Sequence, residues 1–190
     1  MFLFPIRSSA RSRAQTARQL YAAATKAARQ PFFFREIGVP DTLEGRADMV
    51  FLHTGLLVCR LCRLGPDGAK LAQSVFDEMF LNYDWALREM GVGDLAVPRR
   101  IKKMMGLFKG QAVAYDESAR ASLPETKAAL LRNVFSVSPP RSLQTLSILA
   151  EYVQTAYCAL EQQSLSDFSQ GRVTFGEFEY VPEEIYAQAA

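Results

Sequence analysis

The sequence has few of the residues from which enzyme and metal sites are usually built. Its 190 residues include one histidine, one tryptophan and three cysteines. A lone histidine, without a serine or cysteine placed for attack, is weak support for catalysis. An odd number of cysteines does not favour a disulfide framework. We therefore expect no enzyme activity, no cofactor, no metal and no small-molecule substrate.

Long hydrophobic runs are also missing. No stretch approaches the roughly 20 apolar residues that cross a bilayer, and the opening MFLFPI is too short for the core of a signal peptide. Secretion is not expected, and the predicted location is cytoplasmic. The first 35 residues contain seven cations and no acid. That composition also fits a mitochondrial transit peptide, so the matrix side of the mitochondrial membrane is the alternative.

Acids are concentrated at the other end of the chain. Residues 161–190 contain six acids and one cation, Arg172. A basic head and an acidic tail predict either that the two dock together or that the basic surface meets an anionic partner.

The apolar residues recur mostly at helical spacing, and 49% of the chain is hydrophobic. Asp41 or Thr42 is placed to cap the second helix, with Glu44 near the third position of a capping box. The fold class predicted is all-α, a single bundle-like domain of about six helices over residues 1–172. Residues 1–9 are expected to be loose, and residues 173–190 to form an extended acidic tail. The helices are predicted at 10–30, 42–64, 69–90, from 97, 124–135 and 141–163.

The second helix carries polar residues inside its apolar run. Arg46, His53 and Arg60 are seven residues apart and fall in one line on a helical wheel, with Asp48 to one side. Three interpretations remain open at this point: a polar cluster held inside the domain, a face open to a partner, or a catalytic site.

Cys59 and Cys62 have CxxC spacing. Zinc would need four ligands, and only His53 and Cys158 remain elsewhere. A redox pair would sit at a helix N-terminus, where the dipole lowers the pKa of the thiol, whereas this pair lies near the end of a helix. We interpret both cysteines as small buried hydrophobes, with a redox or metal role as the alternative.

The fourth predicted helix is basic on the side opposite its core stripe. Arg99, Lys102, Lys103 and Lys109 lie there, together with Gly106 and Gly110. This face is either solvated or a surface for a protein, for RNA or for anionic lipid headgroups. It has none of the aromatic residues that nucleic-acid readers interleave with cations.

Four stretches resemble one family, the ubiquinol–cytochrome c chaperones. The matching positions include Gly38 to Arg46, His53, Gly91 to Asp94, and the Lys102–Lys103 pair. Trp85 stands where a polar residue is more usual in the family. The stretches read ARQPFFFREIGVPDTLEGRADMVFLHTGLLVCRL, FDEMFLNYDWALREMGVGDLAVPRRIKKM, FKGQAVAYD and ALLRNVF.

The resemblance implies an assembly factor for the cytochrome bc complex that binds nascent or unassembled cytochrome b and has no catalytic residues. It also implies a location at the periphery of the inner membrane, with the ribosome or the anionic membrane surface as a further partner and no specific nucleic-acid sequence. A ribosome- or RNA-binding helical module is the alternative. The candidate protein-binding residues are Gly38, Pro40, Asp41, Arg46, Asp48, His53, Trp85, Arg99, Lys102, Lys103 and Lys109.

Overall fold

The computed structural model describes the backbone of residues 6–178 and the side chains of residues 11–178. Eight helices occur within this range, two of them only five residues long. The prediction of a single all-α domain is confirmed. The helices are α1 Ile6–Ala28, α2 Pro31–Arg35, α3 Leu43–Arg63, α4 Gly65–Glu89, α5 Val97–Ala121, α6 Leu123–Arg132, α7 Leu143–Gln162 and α8 Leu165–Ser169.

Helix α3 lies at the centre of the molecule. It packs against α1, α4, α5 and α7, and residues 49–57 are buried on every side of the helix. A helix that is apolar all round has to be enclosed by neighbours. Its packing is close enough that a Cβ added to Gly55 would touch the Cα and Cβ of Ala112 on α5, at 3.0 Å.

Most predicted helices are present with shifted ends. Helix α1 begins at Ile6 instead of Ala10. Helix α4 begins at Gly65, because Gly65 turns the chain with a φ of 86° and Pro66 fits the first helical turn. The turn predicted between the second and third helices is therefore shorter than expected. Gly91, with a φ of 78°, ends α4 in the left-handed conformation that glycine adopts easily after a helix. Residues 1–9 were expected to be loose, but residues 6–9 belong to α1, and residues 1–5 lie outside the described residues.

The segment after α8 has no regular secondary structure but packs on the core. We call residues 172–178 the C-terminal strap. The Gln163 side chain donates to the Thr174 carbonyl at 2.8 Å and accepts from the Thr174 amide at 2.9 Å. Within the strap, the Phe175 side chain is buried. Phe178 packs on Phe32 and Tyr152, with ring centroids 6.0 and 5.6 Å apart. Residues 179–190 of the predicted tail lie outside the described residues.

Candidate functional site

The stretch GVPDTLEGR, residues 38–46, forms the turn that leads into α3. Gly38 has a φ of 84°, a left-handed conformation that glycine adopts easily. The Thr42 hydroxyl caps α3 by accepting from the Gly45 amide at 3.1 Å. A Cβ on Gly45 would collide with the carbonyl oxygen of Pro40. Gly38 and Gly45 thus have structural reasons to be glycine. The predicted capping box with Glu44 is wrong, because the third helical position is Gly45.

Asp41 and Arg46 form an ion pair at the surface of this turn. The Arg46 guanidinium donates to the Asp41 carboxylate at 2.6 Å, and the two side chains are 58% and 54% exposed. Arg46 also lies over the ring of Phe34, 5.9 Å from its centroid. The hydrogen bond from Arg46 lowers the pKa of Asp41. Both residues remain accessible to a partner.

His53 is fully buried and does not share a surface with Arg46. Its Nδ1 lies 2.8 Å from the Met49 carbonyl oxygen, so Nδ1 carries the hydrogen and donates it. Its Nε2 therefore accepts from the Tyr152 hydroxyl, at 2.6 Å. Burial lowers the pKa of His53 to about 4, which keeps the ring neutral.

The open face proposed along Arg46, His53 and Arg60 is wrong for His53. Helix α7 and the strap cover that side of α3, and the Phe175 ring lies 5.1 Å from the His53 ring. Arg60 is directed into the C-terminal end of α7, where it donates to the carbonyl oxygens of Leu160 and Glu161 at 3.0 and 2.9 Å. The interpretation of a polar cluster inside the domain is the one that the structure supports here.

Asp48 lies on α3, on the side that faces Gln111 of α5, and its side chain is half-buried. Desolvation raises the pKa of Asp48 to about 6; a hydrogen bond with Gln111 opposes the rise, and the charge of Glu44 adds to it. The buried hydroxyl of Tyr115 has no hydrogen-bond partner among the described residues. Asp48 is therefore part of an internal polar layer, and a partner reaches it only in part.

The CxxC pair does not have the environment of a reactive thiol. Burial raises the pKa of Cys59 to about 12, and the charge of Asp116 adds to this. Cys59 donates to the Ala112 carbonyl at 3.6 Å. Both cysteines were expected to be buried, but Cys59 is half-buried and Cys62 is exposed. Over the described range, no group of three or more His, Cys, Asp and Glu side chains is arranged to hold a metal ion.

A groove of about 850 Å³ runs between α1 and α4. Along α1 it extends from Arg18 to Arg29, about 16 Å at the rise of a helix. Arg18 donates to Glu78 at 3.4 Å across one end. Leu81 and Trp85 lie on the α4 side and are 49% and 64% exposed. We call this feature the α1/α4 groove. Its apolar side chains are placed where they can contact another molecule.

The α1/α4 groove is charged with opposite signs on its two sides. Helix α1 contributes Arg18, Lys26 and Arg29, whereas α4 contributes Glu78 and Glu89. Trp85 was predicted as a candidate contact residue, and its exposure is consistent with contact. The groove as a whole was not predicted, because it depends on how α1 and α4 pack side by side.

The outer face of α5 is basic. Its cations Arg99, Lys102, Lys103 and Lys109 are all exposed, and none forms an ion pair within residues 11–178. Lys109 lies over the ring of Phe76, 5.7 Å from its centroid. Cβ atoms added to Gly106 and Gly110 would meet nothing within 4 Å. This face is open to a partner.

Within the described part of the chain, no helix is both long and apolar enough to cross a membrane.

The fold and these surfaces define an all-α, single-domain protein with an amphipathic groove and a basic helix face. The family model described as "Ubiquinol-cytochrome C chaperone" matches residues 35–175. The chain therefore belongs to this family of assembly factors for the cytochrome bc complex, as the resemblance predicted.

Two curated relatives and one solved structure are similar to this chain. "Ubiquinol-cytochrome-c reductase complex assembly factor 1" of Xenopus laevis is 25% identical over 124 residues, which cover 64% of this chain and 60% of the relative. The protein of that name from Mus musculus is 25% identical over 137 residues, which cover 71% of this chain and 45% of the relative. The chain thus spans about half the length of these relatives. The crystal structure of the Cbp3 homolog from Brucella abortus has a TM-score of 0.80 and 30% identity, covering 93% of this chain and 97% of that chain.

Proposed function

We propose that the protein is a non-catalytic chaperone that binds nascent or unassembled cytochrome b during assembly of ubiquinol–cytochrome c reductase. Membership of the chaperone family supports the assembly role, and cytochrome b is the finer part of the proposal. The observation that carries it is the α1/α4 groove, in which Leu81 and Trp85 remain exposed. Exposed apolar side chains beside a groove mark a site for binding another protein.

The charges of the groove suit a membrane-protein client. Cytoplasmic loops of membrane proteins are rich in Lys and Arg, and Glu78 and Glu89 line the groove. An apolar segment of the client would bury Leu81 and Trp85 while a basic loop meets these acids. Holding the client in this way needs neither a cofactor nor a small-molecule substrate. The protein would act in the cytoplasm, at the periphery of the inner membrane, or on the matrix side in a mitochondrion.

The test of the assembly role is deletion of the gene followed by measurement of the assembled cytochrome bc complex. We expect the spectroscopic signal of haem b and the quinol–cytochrome c reductase activity to fall together. Restoring the gene should restore both. Normal amounts of complex in the deletion strain would contradict the proposal.

A second candidate function is a ribosome- or RNA-binding module that uses α5. The observation in its favour is that residues 95–115 contain five exposed cations and no acid. Binding through phosphate contacts weakens steeply with salt, with a slope close to the number of phosphates neutralised. RNA binding by the purified protein that does not change with salt concentration would exclude this function.

A further inference from the structure

Helix α5 has one side that is entirely free of acids for about 21 Å, from Arg99 to Val113. At about 100° per residue, its exposed cations fall within one half of the helical wheel. The opposite half holds the buried Val97, Phe108 and Ala112. The cations are Arg99, Arg100, Lys102, Lys103 and Lys109, and all are exposed.

Aliphatic side chains are interleaved with these cations. Leu107 and Val113 are 51% and 50% exposed, and Leu95, just before the helix, is 93% exposed. They lie on the outer half of α5 or at its start and are not part of the core. The face therefore combines positive charge with aliphatic residues along one helix, and it has no exposed aromatic residue.

We propose that this face of α5 is a peripheral docking surface for a bilayer with anionic phospholipid headgroups. Helices that lie in a membrane interface place Lys and Arg against headgroups and aliphatic residues at the acyl boundary. Single-stranded nucleic acid, by contrast, is held by aromatic stacking in addition to cations. The composition of the face therefore matches a lipid surface better than RNA.

The inference deepens the proposed function, since it places the chaperone at the membrane where its client is inserted. The α1/α4 groove remains separate, because its residues come from α1, α3 and α4 and not from α5. Docking at the membrane and binding of the client can therefore fail independently.

The strength of docking follows from the number of cations. Each Lys or Arg near an anionic membrane surface strengthens binding about fivefold, and the effect declines over a Debye length. Loss of two cations is then expected to weaken binding about 25-fold. Raising the salt concentration should weaken it as well, while the aliphatic residues leave a component that salt does not remove.

The experiment is flotation of the full chain with two kinds of vesicle, phosphatidylcholine alone and phosphatidylcholine mixed with phosphatidylglycerol. The parent protein should float only with the mixed vesicles. The Lys102→Gln/Lys103→Gln variant should bind about 25-fold more weakly, and Leu107→Ser should reduce the salt-resistant component. The matched control is Arg35→Gln/Arg132→Gln, which removes two exposed cations from α2 and α6, outside this face, and should bind like the parent. An unchanged thermal unfolding midpoint shows that each variant is folded.

Three outcomes would overturn the inference. One is equal binding to both kinds of vesicle, and another is an equal loss of binding in the two double variants. The third is parent protein that ignores the vesicles but binds RNA in a Lys102- and Lys103-dependent way, which assigns the face to nucleic acid. Capture of cytochrome b in detergent by the Lys102→Gln/Lys103→Gln variant reports on the groove separately. Retained capture with lost flotation is the result that this inference and the proposed function together predict.

Discussion

His53 and Tyr152 form a polar pair enclosed by aromatic rings at the contact between α3 and α7. Phe33 lies beside both rings, with centroids 5.6 Å from His53 and 4.9 Å from Tyr152. Among the described residues, the two ring nitrogens of His53 and the Tyr152 hydroxyl form hydrogen bonds only with each other and with the Met49 carbonyl. The pair therefore ties two helices together, and neither side chain is available for chemistry.

Replacing one member of the pair should destabilise the protein, because the other member is left buried without its hydrogen-bond partner. His53→Phe leaves the buried Tyr152 hydroxyl without a partner, and we expect the free energy of unfolding to fall by about 1–3 kcal/mol. Tyr152→Phe should have a similar effect. The double variant should lose less than the sum of the two, which a urea-denaturation cycle measures. Strict additivity would show that the hydrogen bond is unimportant.

Two residues should give the protein opposite responses to pH. The pKa of His53 falls from 6.5 to about 4 on folding. Its contribution to stability is therefore complete above pH 6.5 and is lost as the pH falls from 6.5 through 4. The pKa of Asp48 rises from 3.8 to about 6. Its contribution is complete below pH 3.8 and is lost as the pH rises through 6.

The two contributions oppose each other between pH 4 and 6, and single variants separate them. Relative to the parent, Asp48→Asn should become less stable as the pH falls across this window, because His53 alone remains of the two. Relative to the parent, His53→Phe should become more stable as the pH falls across the same window, because Asp48 alone remains of the two. Urea denaturation at a series of pH values measures both differences. Curves parallel to the parent curve would contradict the burial of these two groups.

At the scale of single residues, the sequence left the role of His53 open for a physical reason. A helical wheel places Arg46, His53 and Arg60 on one line, but it does not show which neighbours cover that line. Arg46 lies at the exposed start of α3, whereas α7 and the strap cover His53, and Arg60 reaches the end of α7. Only the packing of elements distant in sequence decides this.

At the scale of helices, glycine has two distinct roles that a matched pair of variants separates. Gly45→Ala in α3 would push a methyl group into the Pro40 carbonyl, so we expect a loss of at least about 2 kcal/mol in the free energy of unfolding. Gly106→Ala in α5 meets no atom within 4 Å. It should gain about 1 kcal/mol, because alanine favours the helix. Thermal or urea denaturation gives both values, and a loss for Gly106→Ala would show that the outer face of α5 is constrained.

Long helices were predictable from the sequence, and the short ones were not. The stripes of α4, α5 and α7 repeat over five turns or more, and their apolar residues identify both the helix and its buried side. Helices α2 and α8 have five residues each, too few for a repeat to be visible. They form because Pro31 starts one and a Ser164–Asp167 capping box starts the other.

At the scale of the whole molecule, one enclosed helix organises the core and leaves the outer helices free to bind. Helix α3 packs against the four long helices α1, α4, α5 and α7, so α1, α4 and α5 each keep one side free of this packing. Their other sides form the α1/α4 groove and the basic face of α5. The sequence predicted the basic face and Trp85 as a contact, since each lies on a single helix. The groove is formed by two helices packed side by side, so the pattern of a single helix could not predict it.

The most direct test of the account is capture of newly made cytochrome b by the tagged protein in cells. The groove variant Leu81→Ser/Trp85→Ser changes two exposed side chains, so it should fold normally. Its control, Leu131→Ser/Val137→Ser, changes two apolar side chains, 42% and 91% exposed, outside the groove. We predict that the groove variant recovers at least about tenfold less labelled cytochrome b than the parent, while the control matches the parent. Equal recovery by the groove variant, or no recovery by the parent, would contradict the account.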